Sequence, residues 1–270
     1  MTVLSSQTIE QLGDALYTAL ATRQPIAPLT DSHPDMTLDD AYRVQMRMIE
    51  CRLTAGGAAD RVIGKKIGVT SQPVMDMLNV RQPDFGHLLA SMNLPEGEPL
   101  PMHQLIAPRA EGELAFILAK DIQGPGVTAE QVIEATEFVV PCFEIVDSRI
   151  KDWKIKIQDT VADNASCGML VVGAAIADPR KLDLGLVGMT ITRNGEIVGT
   201  GAGAAALGHP AQAVAWLANT MGALGILLKA GEIILSGALS GLVPLSPGDV
   251  LSMTMGGVGS VAMLCSGERA

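Results

Sequence analysis

Residues 108–118 read Pro-Arg-Ala-Glu-Gly-Glu-Leu-Ala-Phe-Ile-Leu. On an extended strand successive side chains point to opposite faces, and residues two apart lie roughly 6.6 Å from each other on one face. Leu114, Phe116 and Leu118 then share one face, while Glu111 and Glu113 share the other, with Gly112 adding no bulk between them. Two carboxylates that close repel each other unless something neutralises them. A divalent cation held by oxygen ligands would do so; the plainer reading is the solvated face of an edge strand.

A third acid bears on that choice. Glu144 stands inside Val139-Val140-Pro141-Cys142-Phe143-Glu144-Ile145-Val146, an otherwise apolar run of strand character. A carboxylate there is rarely buried without a partner. Glu111, Glu113 and Glu144 could together form a three-carboxylate oxygen site for Mg²⁺ or Mn²⁺. Asp147 and Arg149, just beyond, read as a surface ion pair.

Three further stretches carry chemistry. In Gly64-Lys65-Lys66-Ile67-Gly68-Val69-Thr70-Ser71 the two lysines point to opposite strand faces, so one is expected in solvent and the other inward, as a charge partner or proton carrier. Thr70 or Ser71 would cap the next short helix and could present N–H groups to an anion. Gln158–Gly168 is a small, polar loop able to place Asn164 or Ser166 in a site. In Gln82-Pro83-Asp84-Phe85-Gly86, Asp84 is either an acid/base or a turn residue after proline.

Around these lies an α+β pattern. Thr37 and Asp40 form a capping box before a helix stopped by Gly56-Gly57, and an earlier amphipathic helix spans about Thr8 to Thr22. Helices also follow Thr128, with Gln131 closing its box, and Pro210. Strands are expected at 62–69, 110–119, 138–146, 169–173, 188–192, 232–235, 250–255 and 260–264, with Asn194-Gly195 as a type I′ hairpin turn. Residues 1–60 form a helical cap region, and Gly-rich turns join the later strands into a curved mixed sheet.

Composition narrows the class. With 19 basic against 29 acidic residues, a net charge of −10 and no basic run, the chain lacks a nucleic-acid footprint. No apolar run reaches the roughly 18 residues of a membrane span. The opening MTVLSSQTIEQLGDAL lacks the basic and apolar parts of a signal peptide, and four scattered cysteines suit a reducing compartment, so a cytoplasmic protein is expected. Gly201-Ala202-Gly203-Ala204-Ala205-Ala206 lacks the acidic residue that a dinucleotide fingerprint needs further on. Cys167 with His209 has no spacing that supports a thiol nucleophile.

The segments IGKKIGVTS from Ile63, QPDFGHL from Gln82, PRAEGELAFIL from Pro108 and PCFEIVDSRIKDWKIKIQDTVADNASCG from Pro141, followed by TGAGAAALGHP from Thr200 and AGEIILSGAL from Ala230, occur in the order of a known family. Over nearly its whole length the chain resembles the hydratase/decarboxylase branch of the fumarylacetoacetate hydrolase superfamily. The resemblance implies a mixed β-sheet rolled into a barrel-like sandwich over 61–270. It implies Mg²⁺ or Mn²⁺ on Glu111, Glu113 and Glu144. Lys66, Asp84 and Ser166 would be catalytic, with Thr70 and Ser71 at the substrate. The implied reaction is hydration of a 2-hydroxydienoate, with decarboxylation of 2-oxo-3-hexenedioate, or service as that decarboxylase's non-catalytic partner, as alternatives. It further implies a homo-oligomer, in some members joined to 4-oxalocrotonate decarboxylase.

Overall fold

The computed structural model describes residues 4–267. Helices α1 (Ser6–Thr22), α2 (Leu29–Ser32) and α3 (Leu38–Gly56) open the chain. The Thr37 hydroxyl accepts from the Asp40 N–H while the Asp40 carboxylate accepts from the Thr37 N–H, so two otherwise orphaned donors are satisfied at once. Gly57, at φ 59°, ends α3. Next come β1 (Val62–Gly68), α4 (Gln72–Met77), β2 (Asp84–Leu89), β3 (Asn93–Leu94) and β4 (Arg109–Leu118). They are followed by α5 (Ala129–Ala135), β5 (Thr136–Val146), α6 (Ile157–Ala162) and β6 (Cys167–Val172). The last part holds β7 (Gly188–Arg193), β8 (Glu196–Ala202), α7 (Pro210–Gly222), β9 (Ile233–Leu235), β10 (Val243–Pro244), β11 (Val250–Met255) and β12 (Gly259–Leu264).

Two sheets result. The larger is mixed, in the order β2-β1-β9-β4-β5-β6-β3, with β10 beside β4; the smaller is antiparallel, β12-β11-β7-β8. Asn194 and Gly195 both have positive φ in the two-residue turn between β7 and β8, as a type I′ turn requires. Leu114, Phe116 and Phe143 on one face of the large sheet are buried with Met189, Ile191 and Met253 of the small one. Each such Leu or Phe contributes about 1.5–3 kcal/mol by leaving water. A Cβ on Gly112 would sit 2.6 Å from the sulfurs of both Met189 and Met253, so glycine there lets the sheets close.

The charged side of β4 is not a solvated edge. That strand lies between β9 and β5, and Ala115, Val140, Leu170 and Leu235 on this side are buried with Ile49 of α3. Helices α1, α3 and α6 share a second apolar cluster that includes Leu16, Val44, Met48 and Val161. The stretch after Pro83, where no strand was expected, is strand β2, and its six residues are all buried. A strand buried on both faces shows no alternation to read. Among the described residues no helix is long and apolar enough to cross a membrane.

Candidate active site

The antiparallel register of β4 and β5 sets Glu111 directly opposite Glu144 and Glu113 opposite Cys142. One carboxylate oxygen from each of Glu111, Glu113 and Glu144 lies within 4.8 Å of the other two. Glu113 and Glu144 are fully buried, whereas Glu111 opens into a cavity. The backbone N–H of Gly237, in the loop after β9, donates to Glu113 Oε2 at 2.7 Å. Gly237 has φ +101°, and a Cβ on it would lie 2.3 Å from Thr70 Oγ1, so both conformation and space demand glycine.

Lys66 reaches the same face from β1, with β9 between it and β4. Its Nζ lies 3.2 Å from Glu144 Oε1 and donates to the Ala165 carbonyl at 3.1 Å. Burial works against the ammonium, but Glu144, Asp84 and Glu111 outweigh it and hold Lys66 protonated above its ordinary range. A Cβ on Gly68 would lie 2.3 Å from Asp84 Oδ1 and 3.2 Å from Lys66 Nζ, so this glycine yields its side-chain space to the two charged groups. Lys65 points to the opposite face, as alternation requires, but it is not in solvent: it is buried and pairs with Glu232 at 3.0 Å.

Four carboxyl groups therefore surround one ammonium. Burial, then Glu144, pushes the Glu111 carboxyl up to about 7, with Lys66 pulling the other way. Burial, Glu144 and Glu111 raise Glu113 well above the ordinary carboxyl range, and Asp84 is raised by burial against the pull of Lys66. Glu113 Oε1, both Glu144 oxygens and Asp84 Oδ1 receive no aligned hydrogen bond. Buried oxygens left this way cost several kcal/mol. A hard divalent cation takes this kind of donor, and Glu111, Glu113 and Glu144 fit one.

Above the acids lies a cavity of about 830 Å³. Lys66, Thr70, Ser71, Asp84, Glu111 and Ser166 all line it, so the structure brings the expected residues together. Ser71 stands at the N-terminus of α4, but its side chain makes no capping hydrogen bond. The Ser166 hydroxyl is 3.1 Å from that of Thr160. Sequence reading missed Arg109 and Trp153 on the same wall: Arg109 shares the face of Glu111 and Glu113, and its guanidinium lies 4.4 Å over the Trp153 ring. The alternation that places Glu111 also places Arg109, whereas Trp153 comes from a loop with no such signal. Cys167 is buried and is not among the residues that line the cavity; burial, then Glu144, pushes its thiol well above the ordinary range.

Asp147 and Arg149 do not form a surface ion pair. Both are buried, and the partner of Arg149 is Asp163. The Asp147 carboxylate instead accepts from the N–H groups of Ile106 and Ala107, at 2.9 and 2.7 Å. The Arg149 guanidinium also donates to the carbonyls of Asp147, Asp163 and Cys167. A charge with four of its five N–H donors placed can be buried, which the local sequence gave no means of seeing.

A family model described as Fumarylacetoacetate (FAA) hydrolase C-terminal matches residues 57–263. The chain belongs to the fumarylacetoacetate hydrolase family. Within this family it is 58% identical over 259 residues to the 2-hydroxyhexa-2,4-dienoate hydratase of Comamonas testosteroni, covering 95% of this chain and 97% of that protein. It is also 58% identical over 219 residues to the 2-hydroxypent-2,4-dienoate hydratase of Pseudomonas putida, covering 81% of this chain and 97% of that one. Among solved family structures, the 4-oxalocrotonate decarboxylase of Pseudomonas putida G7, complexed with magnesium and adipate, superposes with a TM-score of 0.93 at 34% identity. That match covers 98% of this chain and all of the other.

Proposed function

We propose that this protein is a divalent-cation-dependent hydratase that converts 2-hydroxypenta-2,4-dienoate into 4-hydroxy-2-oxopentanoate, in the meta-cleavage degradation of aromatic compounds. The observation that carries this reading is the convergence of Glu111, Glu113 and Glu144 beneath a cavity shared with Lys66 and Asp84, in a chain 58% identical to two dienoate hydratases. The 34% identity to a decarboxylase is the weaker likeness.

Glu111, Glu113 and Glu144 would hold Mg²⁺ or Mn²⁺. Such an ion, when bound, supplies a Lewis-acid sink for the charge that develops on a 2-oxo acid. The chain's own residues do the rest. Lys66 offsets the negative charge of the substrate carboxylate and of the enolate. Asp84, its pKa raised by burial, carries protons, first to C5 as the dienol becomes a 2-oxo-3-enoate. Water then adds at C4 and a proton is delivered to C3, so the product is the substrate plus one water. Ser166, steadied by Thr160, orients substrate or water. Thr70 and Ser71 line the same cavity and would contact the substrate. Met77, Leu78, Trp153, Ile155 and Leu242 give the cavity an apolar lining that would take the substrate's hydrocarbon part.

The test is to generate 2-hydroxypenta-2,4-dienoate in situ and follow loss of dienol absorbance, with product identification. Turnover to 4-hydroxy-2-oxopentanoate with Mg²⁺ or Mn²⁺, abolished by EDTA, is expected. A dienol that persists with the cation present refutes the hydratase reading; CO₂ released from 2-oxo-3-hexenedioate points to the decarboxylase instead. The same reading takes the protein to be a cytoplasmic homo-oligomer that can join 4-oxalocrotonate decarboxylase, which light scattering and co-purification would check.

A further inference from the structure

Three consecutive non-glycine residues, Asn164, Ala165 and Ser166, have left-handed backbones, at φ 55°, 49° and 53°. Each L-residue in that region costs roughly 1–2 kcal/mol, with asparagine among the more tolerant. Such a run persists only where its surroundings over-determine it. Ala165 and Ser166 both line the cavity, and the Ala165 carbonyl is the acceptor for Lys66 Nζ. Asn164 does not line it and is wholly buried.

The carboxamide of Asn164 is spent on strand β2. Its Oδ1 accepts from the His87 N–H at 2.7 Å, and its Nδ2 donates to the His87 carbonyl at 2.9 Å. It therefore pairs with both backbone groups of His87, as a neighbouring strand residue would. Beside it, a Cβ on Gly86 would come within 2.5 Å of the Asn164 carbonyl, so the loop presses flush against β2. Further along, Asp147 N–H donates to the Ser166 carbonyl at 2.8 Å, fixing the exit of the turn.

We infer that Asn164 is a positioning residue: its two hydrogen bonds to His87 lock the left-handed turn that aims the Ser166 hydroxyl into the cavity and sets the Ala165 carbonyl on Lys66. No other side chain of the turn reaches β2 with both a donor and an acceptor. The two bonds of the lock go to β2, and neither is made by β4 or β5, the strands that carry the three carboxylates.

The holoenzyme with Mn²⁺ tests this role in two variants, Asn164→Gly and Asn164→Asp. Glycine removes the lock while tolerating the left-handed backbone, so it separates clamping from strain. The expected result is a kcat about 30- to 100-fold lower, the scale on which small misplacements of reacting groups act. KM and the Mn²⁺ dissociation constant should change less than about threefold. Asn164→Asp keeps the acceptor but sets a carboxylate oxygen against the His87 carbonyl. Protonation restores the missing donor, so its kcat relative to wild type should rise as the pH is lowered from about 8 to about 6. A kcat within about threefold of wild type in the glycine variant overturns the inference. So does a collapse of kcat, KM and Mn²⁺ affinity together, or a pH-independent ratio in the aspartate variant. Because turnover is the readout, this role rests on the hydration proposed above. Wild-type protein inactive on the dienol would overturn that reaction, whereas an active wild type with an unimpaired glycine variant would overturn the positioning role alone.

Discussion

Arg149 with Asp163 and Lys66 with Glu144 are both ion pairs shut away from solvent, yet they are built in opposite ways. Around Arg149, donors and acceptors are matched: the guanidinium serves Asp163 and three carbonyls, and the Asp163 carboxylate also accepts from the Arg149 N–H at 3.0 Å. Burial pushes Asp163 up to about 6 against the pull of Arg149, which leaves it ionised at neutral pH. Around Lys66, one ammonium faces four carboxyl groups, and oxygens of Glu113, Glu144 and Asp84 go without aligned donors. A matched cluster closes a fold; an unmatched one costs stability and stays ready for a ligand that supplies the missing charge.

The largest contrast is expected from Glu113→Gln. Turnover should fall by at least about 1,000-fold, because several kcal/mol of charge stabilisation depend on the acid set. The metal-free protein should lose no stability and should gain about 1 kcal/mol, since folding no longer has to bury a carboxyl whose ionised form is disfavoured there. Mn²⁺ should raise the Tm of wild type but not of this variant. A metal-free stability loss above about 3 kcal/mol would place Glu113 with the closed cluster and erase the distinction. Arg149→Ala should behave in the reverse manner, lowering unfolding stability in urea by about 3–5 kcal/mol because Asp163 is left buried without its cation. A loss under about 1 kcal/mol would mean that the closed cluster holds little together.

His87 supplies an intermediate case, a buried group kept neutral. Burial, then Lys65, lowers its pKa from 6.5 to about 4. Below pH 6.5 the unfolded chain takes up a proton that the folded chain refuses until about pH 4, so stability falls across that window as the pH drops. The loss approaches about 3 kcal/mol, and the component should vanish from the pH–stability profile of His87→Gln. The smallest effect belongs to the exposed pair of Arg47 with Asp14, 2.7 Å apart on α3 and α1. Arg47→Ala should lower stability least of the variants named, and less again at high salt, as screened surface pairs do. A loss as large as that of Arg149→Ala would show that burial is not what separates these pairs.

Much of the site was legible in the chain. Glu111 and Glu113 share a face because strands alternate, and Glu144 stood out as an acid in an apolar run. The two capping boxes and the Asn194-Gly195 hairpin were readable because their hydrogen bonds close within a few residues. Strand β2 and the buried state of Arg149, Asp163 and Lys65 were not readable. Their partners lie on other elements, and a doubly buried strand carries no periodicity.

By itself, then, the sequence determined which side chains share a face and which residue types could hold a hard cation. Only the tertiary structure decided that Glu111 stands opposite Glu144, that Lys66 arrives from two strands away, and that Asn164 pairs with His87 across 77 residues. Alternation is a property of one strand and its period of two. Register and burial come from many weak contacts between distant segments, which no local stretch encodes.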